Sequence, residues 1–387
     1  MLIEYKFNLW LIALVFLIWV VFSSKWFTFL DNHTPQQARD EHLDSLRFFL
    51  AFFVAIHHYA MCYVYFHGHG WTFETIENYT FVKEMGSFGV SVFFMISGYL
   101  FSGSKPNSWL QFYKKRYYRI APLFFLSSII CILIALWLQR NILRDLDIPR
   151  ILANLYFWFD AGILGEKPPL FDLPDSHLIN AGVTWTLFWE WAFYFSLPIV
   201  CLVRDKIGVK KLALAIIFIS VYMIYPHKPS WAVYIALFAI GGLVKELSKK
   251  LQIPKNICDI GIVLTIIFLF FSPDSHYNIY YLPLMAIMFV LIAMGGDIFG
   301  LLRQKAFARL GAASYSIYLL HGIVWFGMNK IIQVHHLTLS RTQYTLLTTI
   351  VVFILLMICT FTYYYIEKPC IELGRRKIKW IKADSQS

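Results

Sequence analysis

Residues 43–60 read LDSLRFFLAFFVAIHHYA, an apolar and aromatic stretch that carries Asp44 and Arg47 near its start and the pair His57–His58 near its end. It lies within an apolar run over 46–66, long enough to cross a hydrocarbon core of roughly 30 Å at about 1.5 Å per residue. Runs of similar length recur along the chain, and spans are expected at 8–29, 46–66, 87–103, 117–138, 183–203, 211–226, 230–247, 259–272, 279–294, 311–328 and 345–366. This pattern makes the chain an all-α polytopic integral membrane protein. The stretch 151–164 is apolar but short, and Asp160 and Gly162 interrupt it, so it is expected to be interfacial or re-entrant.

Composition points the same way. Of 387 residues, 59% are hydrophobic, 19% aromatic and only 15% charged, a balance outside that of soluble domains. The formal charge of +11 does not indicate a nucleic-acid partner, because the basic residues sit in short loops between apolar runs. One alternating set of loops holds 23 Lys and Arg and the other holds 9, an asymmetry that puts the C-terminal tail GRRKIKWIK on the cytoplasmic side. The same parity favours an added N-terminal helix over a cleaved signal peptide, the competing reading of a first run with Lys6 before it and Ser23 and Ser24 after it. Cys62, Cys131, Cys201, Cys258, Cys359 and Cys370 are scattered without a CxxC pair, so neither a disulfide framework nor a metal site is indicated.

A charge at bilayer depth costs several kcal/mol unless it is paired or faces a wet cavity, so intramembrane ionisable residues are functional candidates. At about 100° per residue, Arg47 and His58 fall roughly 20° apart on one helix face, with His58 about 16 Å deeper. Asp44 lies close to that face and His57 points roughly 80° away from it. The competing reading is a hydrogen-bonded structural histidine and a snorkelling arginine.

Four later segments carry the same kind of signal. In FGVSVFFMISGYLFSG, Ser97–Gly98 interrupt an aromatic helix, which suits close helix packing as well as it suits a cavity. In FYKKRYYRIAPLFF, Arg116 and Arg119 share a helix face at the mouth of a span, where they either clamp phosphates or only set topology. Glu190 sits six residues into the aromatic span of VTWTLFWEWAFYFSLPI and calls for a basic partner or a wet site. His321, in GAASYSIYLLHGIVWF, lies about ten residues into a span, where a structural histidine is the commoner outcome.

These five segments, in this order over residues 41–370, resemble the acyltransferase-3 family of bacterial membrane O-acyltransferases. The resemblance implies about ten core transmembrane helices, here with one extra N-terminal helix, in the cytoplasmic (inner) membrane. It divides the chain into an added helix and loop (1–40), the membrane domain (41–370) and a basic cytoplasmic tail (371–387). It implies transfer of an acetyl or larger acyl group from acetyl-CoA to a hydroxyl of a surface polysaccharide or other glycan. Carried onto this chain, it selects His58 over His57 and assigns catalytic positions to His58, Glu190 and Asp44. Donor binding falls to Arg47, Arg116, Arg119, Ser97 and Gly98, while His57, Trp185, Tyr315 and His321 are substrate-binding or structural. His58 is then either general base or transient acyl carrier, with Glu190 or Asp44 orienting or charging it. No esterase-like extracytoplasmic domain is fused, so a second transfer step would fall to a separate chain. Expected partners are the acyl-CoA donor, the glycan acceptor and membrane lipid; oligomeric state is left open. A carrier or flippase for a glycan or lipid-linked sugar is the competing function.

Overall fold

The computed structural model describes residues 2–31, 41–76, 80–140, 147–227, 231–271 and 278–376. The loop portion 32–40 of the N-terminal segment and the tail beyond 376 therefore lie outside the described residues. The helices are α1 (Leu2–Ser23), α2 (Glu41–Phe66), α3 (Thr80–Phe101), α4 (Trp109–Leu138), α5 (Ile148–Trp158), α6 (Trp185–Ile207) and α7 (Val209–His227). They continue with α8 (Trp231–Ser248), α9 (Lys255–Phe270), α10 (Leu282–Ala293), α11 (Lys305–Ala312), α12 (Ser314–Val334), α13 (Arg341–Thr362) and α14 (Lys368–Arg375). Among the described residues eight helices are long and apolar enough to cross a membrane, and the chain is an all-α multi-pass membrane protein. All eleven expected spans coincide with helices, although α9 and α10 run only 16 and 12 residues, fewer than the roughly 20 of a full crossing.

Burial sorts the helices into centre and rim. Of the most apolar window of α3, 72% is buried, and of α2, 61%, against 22% for α1, whose outward face presents Ile12, Phe16 and Val20. α2 packs on α3, α11 and α12, and α3 packs on α8. The α3–α8 crossing is set by two glycines. A methyl group at Gly98 would stand 1.9 Å from the Phe238 carbonyl oxygen, and one at Gly241 would stand 2.0 Å from that of Met95. Small residues at both positions let the backbones touch, the arrangement by which helices associate where no hydrophobic effect separates them from lipid.

Three local departures from regular helix shape the interior. α4 starts at Trp109, with Ser108 as its cap accepting from the Gln111 N–H at 3.3 Å, well before the expected start of the span at 117. Arg116 and Arg119 consequently sit inside the helix, the first about 10 Å from its start rather than at its mouth. α13 passes through a π-helical turn, Tyr363–Glu367, into α14. Pro369 has no N–H to return to the preceding turn, and the backbone widens just ahead of it. Lastly, α5 is an interfacial helix exposing Ile148, Leu152 and Tyr156 along one stripe. It leads into a loop where Asp160, expected to be a breaker, accepts from Gly162 N–H (2.8 Å), Leu164 N–H (2.7 Å) and Lys167 Nζ (2.6 Å). Burial lowers the Lys167 pKa, and the Asp160 carboxylate partly offsets that.

Candidate functional site

A cavity of about 1040 Å³ opens at the end of the bundle where α11 and α14 lie. Its walls come from α2, α3, α4, α6, α11, α12 and the π turn, and its lining carries Arg47, Arg116, Arg119, Lys305, Arg309, Lys368 and Arg375. The acidic residues facing them are Asp31, Asp44, Glu190 and Glu372. Part of this charge is internally neutralised. Arg47 donates to Asp44 at 2.8 Å on the same helix, and Arg309 donates to Asp31 at 2.7 Å and to the Phe22 carbonyl at 2.7 Å, fastening the N-terminal segment to the cavity wall.

Arg116 and Arg119 are different. Neither guanidinium donates a hydrogen bond or makes an ion-pair contact to any described residue. Arg116 is held by ring faces, its guanidinium carbon 4.9 Å from the Phe101 centroid and 5.7 Å from those of Phe112 and Tyr194. Its Nε has no hydrogen-bond partner. Arg119 lies within Coulombic reach of Glu367 and Glu190. Those carboxylates are engaged by neighbouring hydroxyls: Tyr194 donates to Glu190, and Ser316 to Glu367. Two guanidiniums held by aromatic rings and distant carboxylates keep their donors available for an anion entering the cavity.

The inner end of the cavity is reached at Tyr318, whose hydroxyl is 2.8 Å from Thr186 Oγ1. One turn further along α12 is His321, fully buried, with its Nδ1 3.0 Å from the Ile317 carbonyl oxygen. Its Nε2 lies 2.8 Å from His58 Nδ1. The two imidazoles are within 10° of parallel with centroids 5.1 Å apart, which with so short an N···N contact means that they lie edge to edge in one plane. His58 is half-buried and has Trp71, from the α2–α3 connection, 6.0 Å away on its other side. A loop of residues 176–180 closes in behind, its backbone so near α12 that a methyl group at Gly322 would stand 2.2 Å from the Asn180 carbonyl carbon.

The structure brings most of the expected residues together and separates a few. Asp44, Arg47, Ser97, Arg116, Arg119, Glu190 and Tyr315 line the one cavity, and the Tyr315 hydroxyl donates to the Ile120 carbonyl at 2.9 Å. Gly98 does not line it: turned toward α8, it serves the helix crossing, and Ser97 alone of that pair faces the cavity. Trp185 packs on Tyr234 of α8, 5.3 Å between centroids. His57 also leaves the group, donating to the Val82 carbonyl at 3.0 Å with its ring against Gly86. The expected orienting contact from Asp44 or Glu190 to His58 is not present; Asp44 is fourteen residues away along α2, about 21 Å, and His321 occupies that place. Glu367 escaped notice because the span, read to 366, left it to be counted as loop, although an acid closing an apolar run is itself a signal.

A multi-pass helical membrane protein with a basic cavity leading to a buried histidine pair is the class that this geometry defines. The acyltransferase-domain family matches residues 40–365, and the chain belongs to it. The chain is also 29% identical, over 188 residues, to the O-acetyl transferase of Shigella phage Sf6, covering 47% of this chain and 51% of that protein, so it spans about half the length of this relative. No solved structure matches the chain.

Proposed function

We propose that this protein is a membrane O-acyltransferase that moves an acetyl group from acetyl-CoA, bound in the basic cavity, to a hydroxyl of a surface glycan arriving from the opposite face. The observation that carries the reading is the continuity between two arginines without ion-pair contacts at one end of the cavity and the His58–His321 pair beyond the other. Arg116 and Arg119 suit the phosphates of the donor, and the apolar wall of Val90, Phe93, Phe94 and Leu187 suits its pantetheine arm. The cavity end at Tyr318 lies beside the histidines, so the thioester carbonyl is presented there.

His58 acts as general base. It takes the proton of the acceptor hydroxyl as that oxygen attacks the thioester carbon; the C–O bond forms, the C–S bond breaks, and the proton passes to the departing thiolate to give the free thiol. Glu190, Tyr194 and Asp44 act through the arginines, setting their positions, rather than on His58. The basic loops place the cavity mouth and the C-terminus in the cytoplasm of a bacterial inner membrane, where acetyl-CoA is made. The three parts 1–40, 41–370 and 371–387 then serve as wall, enzyme and membrane-surface tail.

Purified protein in lipid nanodiscs, given radiolabelled acetyl-CoA and surface polysaccharide extracted from the host, should transfer label without any ion gradient. His58→Ala should lower transfer by roughly 10²–10⁴-fold, while His57→Ala keeps most of it. Transfer that survives in His58→Ala, or a wild-type protein that never turns over acetyl-CoA, rejects the proposal, and the second outcome returns the cavity to the carrier reading.

A further inference from the structure

We infer that His321 is a positioning residue that holds His58 in a single tautomer, with the proton on Nδ1 and the lone pair on Nε2. The consequence for catalysis rests on the acyltransfer reading above; the tautomer itself follows from the hydrogen bonds. A carbonyl oxygen only accepts, so His321 Nδ1, 3.0 Å from the Ile317 oxygen, carries a proton. In a neutral ring the other nitrogen then holds a lone pair. That nitrogen faces His58 Nδ1 at 2.8 Å, so the proton between them belongs to His58. His58 Nε2 is left as a base.

The opposite polarity requires a doubly protonated His321. Its ring is fully buried, and among the described residues no carboxylate hydrogen-bonds to either imidazole. The other groups beside the pair are the Tyr318 and Trp71 rings and His57, whose Nδ1–H is already given to the Val82 carbonyl. An imidazolium there would be an uncompensated charge inside a membrane bundle. The coplanar, edge-to-edge arrangement also suits a well-aligned N–H···N bond.

The role resembles that of the third member of a hydrolytic triad, which fixes the tautomer of the base. Here a neutral imidazole takes that place. When His58 Nε2 accepts the hydroxyl proton, the Nδ1–H bond to His321 becomes charge-assisted and strengthens, so the pair stabilises the imidazolium only while it exists. A neutral partner leaves the resting site uncharged, which suits a base lodged at membrane depth.

The test begins with the intact protein. Two-bond ¹⁵N–¹H spectra of ¹⁵N-histidine-labelled protein in nanodiscs, assigned by loss of signals in His58→Gln and His321→Gln, should show His58 protonated at Nδ1 and bare at Nε2. A proton on His58 Nε2 overturns the inference. His321→Leu removes the acceptor, whereas His321→Gln returns an amide oxygen near the position of Nε2. With acetyl-CoA binding unchanged in both, kcat should fall on the order of 10²-fold in His321→Leu, and His321→Gln should recover most of it. His58 signals in His321→Leu should redistribute between tautomers. Wild-type kcat and unmoved His58 signals in His321→Leu also overturn it. A protein that shows the expected tautomer but never turns over acetyl-CoA retains the pair and rejects the acyltransfer reading instead.

Discussion

Arg116 illustrates how one side chain acquires a function from its surroundings. In the sequence it is one of three consecutive basic residues, Lys114–Arg116, and topology alone accounts for all three. In the folded chain its guanidinium is enclosed by Phe101, Phe112 and Tyr194 and lacks the carboxylate that Arg47 and Arg309 each have. A charge-assisted hydrogen bond is worth roughly 1.5–3 kcal/mol, so Arg116→Ala and Arg119→Ala should each raise the KM for acetyl-CoA by about 10–100-fold. Arg116→Lys should rescue poorly, because a compact ammonium neither stacks in the ring box nor forms a planar fork. Steady-state kinetics with the donor varied would check both; unchanged donor KM in the two alanine variants places the phosphates elsewhere.

At the scale of elements, the sequence marks where helices run but not which faces meet. The periodicity of Ser97–Gly98 is compatible with a cavity or with a crossing, and the fold assigns one residue to each. Overpacking typically costs about 1–3 kcal/mol, and backbone contact leaves no flexible group to yield, so Gly98→Val should lower the thermal midpoint of the solubilised protein by at least that much. Ser97→Ala should leave the midpoint unchanged. Equal midpoints for Gly98→Val and wild type, read by intrinsic fluorescence on heating, would contradict the close α3–α8 crossing. The π turn at Tyr363–Glu367 is another decision made by packing: it brings Glu367 under Ser316 and toward Arg119, a placement that a regular helix pattern ending at 366 does not suggest.

Over the whole molecule, polar clamps hold the loops at the basic end. Asp297 accepts from Lys255 at 2.7 Å, from the Gly300 N–H at 2.8 Å and from Arg303, while Asp259 accepts from the N–H groups of Asp297 and Ile298 at 2.7 and 2.8 Å. Burial would raise the Asp297 pKa, but these donors outweigh it and the pKa lies below the usual carboxylate value. The folded state therefore binds this proton less readily than the unfolded chain. The stability that follows is complete above the unfolded value of about 3.9 and is lost as pH falls through the lower folded one. Thermal midpoints recorded while the pH is lowered into that range should fall less steeply for Asp297→Asn than for wild type; parallel profiles would mean that the clamp does not contribute. Orientation belongs to this scale as well. A reporter fused after Ser387 should be active only in a cytoplasmic-type assay, the reverse result inverting the cavity and placing it away from the acetyl-CoA pool.

The sequence alone determined that the chain is a bundle of membrane helices, because hydrocarbon leaves a backbone few other solutions and length and apolarity are read directly from residues. It also identified Arg47, His58, Arg116, Arg119 and Glu190, since ionisable groups are conspicuous against an apolar background. Tertiary structure decided their company. His58 and His321 are 263 residues apart, and no periodicity along either helix predicts that their nitrogens meet at 2.8 Å. The partner of the base, the division of Ser97 from Gly98 and the turning away of His57 all depend on which helix faces pack together. Those choices are made by contacts between distant segments, and helix periodicity constrains only neighbours within a few turns.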